Sequence, residues 1–144
     1  MIFFFNEDCS FNYKGKNLAR KWLRLIASSH GMRIGDLNVI FCSDPYLLDI
    51  NVKYLGHNYY TDIITFDNSE GQRPSGDLFI SVDTVRANAE YYEQSFDDEI
   101  NRVIVHGLLH LIGYDDHSDD DVTLMRAKEN SSLELLYSLR KGEL

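Results

Sequence analysis

Proline and cysteine are scarce in this 144-residue chain, which holds two of each. Cys9 and Cys42 lie far apart with no CxxC spacing, which excludes a disulfide framework and a cysteine-built zinc site. They read as reduced thiols of a cytosolic protein. Pro45 and Pro74 stand alone, and no Pro- or Gly-rich linker, repeat or low-complexity stretch divides the chain, so residues 1–144 are expected to form a single domain. No apolar run approaches the roughly 20 residues that a membrane helix needs. The opening Met1-Ile-Phe-Phe-Phe-Asn-Glu-Asp lacks the basic leader of a secretion signal, and a cytoplasmic location is expected. Cations are also in short supply. Fourteen Lys and Arg against 23 Asp and Glu give a net charge of −9, which excludes nucleic-acid binding by overall attraction.

What the chain does have is 44% hydrophobic and 26% charged residues, ordinary for a globular domain. Apolar runs at Ile2–Phe5, Leu37–Phe41, Thr61–Phe66 and Asp77–Val82 predict strands. Leu18, Trp22, Leu25 and Ile26 predict a helix that stops near Gly31. Ser43-Asp44-Pro45 predicts the start of a second helix, running through Leu47 and Tyr54 to about Gly56. Helical spacing returns from Thr84 to Tyr92, from Asp98 to Ile112 with Gly113 as its stop, and from Asp120 to Leu139. The interleaving favours an α+β domain, a mixed β-sheet packed with about five helices, over a regular βαβ series.

Charge is unevenly placed. Lys14, Lys16, Arg20, Lys21 and Arg24 gather early, while Asp115, Asp116, Asp119, Asp120 and Asp121 crowd one later segment. Either run suits a solvated surface. Together they also suit a basic flank for an anionic substrate beside an acidic, metal-binding end.

Three of the five histidines fall between positions 106 and 117. His106 and His110 are one turn apart on a helix, so both imidazoles can face one ion. His117 follows Gly113, where the chain can turn back. Three imidazoles with an open fourth position match a catalytic zinc site, expected at the end of that helix. The residue after His106 is Gly107, so the glutamate base of a His-Glu-x-x-His peptidase is missing.

The run His106-Gly-Leu-Leu-His-Leu-Ile-Gly-Tyr-Asp-Asp-His117 resembles the signature of the YbeY family of metal-dependent rRNA-maturation endoribonucleases. Tyr54, the segment Thr61-Asp-Ile-Ile-Thr-Phe66, the strand Gly76-Asp-Leu-Phe-Ile-Ser81 and Met125 extend the resemblance across about residues 51–125. Two departures stand out. The family pattern has one residue fewer before its third histidine, and many members carry an arginine where this chain has Leu55.

The resemblance implies a single-strand-specific endoribonuclease of rRNA maturation and ribosome quality control. Its implied cofactor is one zinc ion per chain, or another divalent metal, on His106, His110 and His117. A zinc ion so held lowers the pKa of bound water to about 7 and polarises a phosphoryl oxygen. His57, Asp115 and Asp116 are the candidate catalytic residues; either aspartate can orient a ligand imidazole. Lys16, Arg20, Lys21 and Arg24 are the candidates for RNA phosphates. Implied partners are rRNA and ribosomal subunits, with a small-subunit ribosomal protein and an assembly GTPase, and no membrane. Two alternatives stay open: a metallohydrolase of another substrate class, such as a peptidase, and a non-catalytic ribosome-assembly factor whose metal is structural.

Overall fold

The computed structural model describes residues 1–143. Alternating side chains drive four strands into one sheet: β1 (Ile2–Asn6), β2 (Leu37–Cys42), β3 (Ile63–Asp67) and β4 (Gly76–Ser81). The spatial order is β1-β2-β4-β3. β1, β2 and β4 run parallel, and β3 lies antiparallel on the edge. That mixture is the expected α+β arrangement.

Among the described residues five α-helices accompany the sheet: α1 (Lys16–Ser29), α2 (Asp44–Ile50), α3 (Val82–Tyr91), α4 (Phe96–Ile112) and α5 (Asp119–Arg140). The pleat separates two cores. Leu37, Val39, Phe41, Leu78 and Ile80 face one side, where they join Trp22, Leu23, Ile104, Leu108 and Leu136 of the large helical layer. Cys42 and Ile64 face the other, under Leu47 and Ile50 of α2. Both cysteines are free, and Met125 is buried in the main core. None of the helices among the described residues is long and apolar enough to cross a membrane.

The second helix departs from expectation. Regular α-geometry ends at Ile50, and Asn51–Leu55 forms a widened π-type turn that closes at Gly56 in the left-handed region, φ 69°. Such turns re-aim the chain. Asn51, 1% exposed, donates from Nδ2 to the Tyr59 carbonyl at 2.8 Å and ties the following loop down.

Helix α4 crosses the sheet at Gly107. A Cβ there would stand 2.8 Å from Leu78 Cδ2 and 2.9 Å from Ile63 Cδ1. A methyl group at this position would force the Leu78 and Ile63 side-chain ends to shift, so glycine lets α4 lie close against the sheet between His106 and His110.

Candidate metal centre

Ser95 caps α4, and Asp97, Asp98 and Glu99 in its first turn complement the helix dipole. The helix therefore carries its two histidines rigidly into its last two turns. His106 and His110 turn their Nε2 atoms to within 3.0 Å of one another. The chain then reverses at Gly113, and Tyr114 OH binds His30 Nε2 at 2.9 Å, anchoring the loop to the end of α1. Ser118 and Asp121 form a capping box that starts α5, so Asp119, Asp120 and Asp121 are a helix start. Between these two anchors Asp116 folds back onto the histidine pair.

Asp116 Oδ2 lies 3.6 Å from His106 Nε2 and 3.3 Å from His110 Nε2. An ion about 2.0–2.1 Å from each donor in a tetrahedral arrangement spaces the donors about 3.3 Å apart. The observed triangle of 3.0, 3.3 and 3.6 Å fits that requirement. His106, His110 and Asp116 could thus hold a metal ion. Two imidazoles and a carboxylate leave a fourth position open.

A second carboxylate fixes the first ligand. Glu129 of α5, 5% exposed, places Oε2 2.7 Å from His106 Nδ1. Nδ1–H donates to it, which assigns the tautomer and leaves the Nε2 lone pair facing the site. Arg102 donates to the other Glu129 oxygen at 3.1 Å. Burial opposes charge on His106, but Glu129, with Asp62 and Asp116, prevails and holds its pKa above the ordinary imidazole value. Burial likewise opposes the Glu129 carboxylate, yet His106 and Arg102 keep its pKa low. Burial pushes the Asp62 carboxyl up, against the pull of His106.

Two cavities meet at this centre. One, of about 570 Å³, runs along β3 past His110 and is lined by Leu55, His57, Tyr59 and His117. The other, of about 530 Å³, lies toward α5 and is lined by Tyr92, Glu99, Arg102 and Arg126. Asp62, His106 and Asp116 border both.

The expected site residues divide accordingly. The structure brings Asp116, read from sequence as an orienting group, into the donor triangle. His117 stands outside it, with a side chain 84% exposed and Nε2 4.0 Å from Asp115 Oδ1. His57 lines the β3-side cavity, with Nδ1 3.0 Å from Tyr59 OH. Lys16, Arg20, Lys21 and Arg24 lie on α1 and line neither cavity. Arg20 is occupied, donating from Nε to the Ile2 carbonyl at 2.9 Å.

Glu129 and Asp62 were not singled out by sequence reasoning. Glu129 carried a signal, because it interrupts the apolar stripe of α5 between Met125 and Leu133, and a carboxylate there needs a buried partner. Asp62 carried none, since it precedes a strand on the exposed edge.

Comparison with known proteins identifies the family. The family model described as Endoribonuclease YbeY matches residues 2–137. A curated relative named Endoribonuclease YbeY from Phocaeicola vulgatus is 53% identical over 115 residues, 80% of this chain and 83% of its own. One of the same name from Cytophaga hutchinsonii is 50% identical over 135 residues, covering 93% and 94%. The solution structure of TM1509 from Thermotoga maritima superposes with a TM-score of 0.67 at 27% identity, over 99% of this chain and 93% of that one. By motif, fold and relatives alike, this chain belongs to the YbeY endoribonuclease family.

Proposed function

We propose that the protein is a zinc-dependent, single-strand-specific endoribonuclease that hydrolyses phosphodiester bonds in rRNA maturation and ribosome quality control. The observation that carries the reading is the triangle of His106 Nε2, His110 Nε2 and Asp116 Oδ2, spaced as a tetrahedral ion requires, between two open cavities. Bound there, one zinc or other divalent ion would polarise a phosphoryl oxygen and lower the pKa of a nearby water toward about 7.

The chain's own residues do the rest. Glu129 orients His106 through Nδ1. Asp62 faces both cavities beside His106, and a cation at the centre favours its ionised form, which suits it to accept a proton from the attacking oxygen. His57 and Tyr59, stacked with ring centroids 5.1 Å apart, offer a proton donor and a base-stacking face in the β3-side cavity. His117 at the rim is a further donor within the same cavity. Lys16, Lys21 and Arg24 on α1 would touch only RNA that extends beyond the cleft. The partners in this reading are rRNA and ribosomal subunits in the cytoplasm, with a small-subunit ribosomal protein and an assembly GTPase.

A peptidase reading has no support, because position 107, where such enzymes keep their base, packs against Leu78 and Ile63. One observation favours a non-catalytic assembly factor with a structural metal: Leu55, not an arginine, lines the β3-side cavity. Elemental analysis combined with cleavage of structured rRNA, with and without chelator, separates the two. Metal-dependent cleavage that is lost in a folded His110→Ala variant supports the nuclease. Global unfolding of that variant supports the structural metal.

A further inference from the structure

Two cavities open onto the metal centre, yet cations line only one of them. Among the described residues, no lysine or arginine lines the β3-side cavity. The α5-side cavity has two, Arg102 and Arg126. Arg102 is committed to the protein. Its Nη1 donates to Glu129 Oε1 at 3.1 Å and Asn130 Oδ1 at 3.0 Å, and its side chain is 16% exposed.

Arg126 is held less firmly. Its side chain is 61% exposed, and its charged neighbour is the same Glu129 Oε1, at 3.4 Å. No hydrogen bond to another described residue fixes its guanidinium. Glu129 is already matched by His106 on one oxygen and Arg102 on the other, so neutralising it does not require a second arginine. Around Arg126 the cavity of about 530 Å³ also presents the exposed ring of Tyr92 and the amide of Gln94. An exposed guanidinium, an aromatic face and an amide at the edge of a nucleotide-sized space make up a strand-binding surface.

We propose that Arg126 binds a backbone phosphate of single-stranded RNA in the α5-side cavity, next to the phosphate that reacts at the metal centre. This deepens the nuclease reading and rests on it. Arg126 contacts Glu129 Oε1 at 3.4 Å, and Glu129 Oε2 contacts His106 through Nδ1, the ring nitrogen opposite the donor triangle, so the phosphate that Arg126 holds is assigned to a neighbouring nucleotide. Arg126 is thus a substrate-positioning residue that keeps the strand on the α5 side of the cleft. Guanidinium suits this task because it can grip phosphate oxygens with two donors at once.

The test compares wild type, Arg126→Ala, Arg126→Lys and Arg33→Ala, all zinc-loaded, on a fluorescent single-stranded RNA. Arg33 is exposed, lines neither cavity and controls for the loss of one positive charge. Four quantities are read: zinc content, RNA Kd, KM and the salt dependence of binding. Arg126→Ala is expected to weaken RNA binding roughly tenfold, with the loss falling mainly on KM. The slope of log affinity against log salt should shrink by about 0.7, the value for one phosphate contact on a single strand. Zinc content should match wild type, Arg126→Lys should recover part of the affinity, and Arg33→Ala should bind as wild type does. Unchanged affinity and slope in Arg126→Ala would overturn the assignment. So would a loss of zinc in step with RNA affinity, which would make Arg126 a support for Glu129. A wild type that holds zinc but binds no RNA at low salt would remove the nuclease reading, and this assignment with it.

Discussion

At the scale of single residues, two carboxylates decide whether a pair of helix-borne histidines becomes a metal site. Asp116 closes the donor triangle, and Glu129 fixes which nitrogen of His106 faces it. Asp116→Ala is therefore expected to weaken zinc binding more than His117→Ala, since the His117 side chain is 84% exposed and outside the triangle. Competition with a chromophoric chelator measures both. Glu129→Gln should weaken zinc binding 10- to 100-fold, the usual effect of losing the carboxylate behind a ligating histidine.

The same pair gives the metal-free protein a distinctive pH profile. The His106 pKa is raised above 6.5, so its stabilising contribution is complete below that value and vanishes as pH rises through the raised one. The Glu129 pKa is lowered from 4.5, so its contribution is present above that value and disappears as pH falls through the lowered one. The pair thus favours the folded metal-free state most between these limits. Chelated protein should lose thermal stability as pH rises past the His106 pKa, and Glu129→Gln should flatten that decline. Zinc reverses the trend, because coordination requires His106 Nε2 without a proton. Melting curves across pH, with and without zinc, check the sign.

At the scale of elements, α4 must lie close against the sheet to bring its histidines to the end of β3. Gly107→Ala would drive a methyl group to within 3.0 Å of Leu78 and Ile63. Overpacking of this kind destabilises by about 1–3 kcal/mol, read as a lowered midpoint in urea. Any displacement of α4 that relieves the contact would also lower zinc affinity, read in the same chelator competition.

Much of this level was legible in the sequence. Short apolar runs placed all four strands, and helical spacing, with the Ser43-Asp44-Pro45 start for the second, placed the helices. The His106–His110 spacing announced the site on one face of α4. The π-type turn after Ile50 was hidden, because Leu47 to Tyr54 is apolar enough to continue a regular helix. The loop after Gly113 was hidden for another reason. Which of Asp115, Asp116 and His117 turns inward depends on where Tyr114 is anchored, and its partner His30 lies 84 residues away in sequence. Glu129 and Asp62 likewise reach His106 only through packing of α5 and β3 beside α4.

At the scale of the whole molecule, a chain of net charge −9 has to hold an anionic strand with few cations. In the proposed arrangement local features replace overall attraction: a divalent ion at the donor triangle, Arg126 on the far side of Glu129, and α1 outside both cavities. The large core is built from Trp22, Leu78, Ile104 and Leu108, none of which belongs to the donor set. Metal removal should accordingly leave a folded protein, with a stability loss set by linkage, about 2.7 kcal/mol when zinc had been present at 100 times its Kd. Circular dichroism of the chelated protein tests this.

The most direct measurement is a zinc titration of chelated, folded protein, with cleavage of a single-stranded rRNA fragment as the readout. The expected result is no cleavage without metal, activity rising to a plateau at one equivalent of zinc, and no recovery at that equivalent in Asp116→Ala. Cleavage by fully chelated protein would contradict the proposed centre, as would an Asp116→Ala variant that follows the wild-type titration.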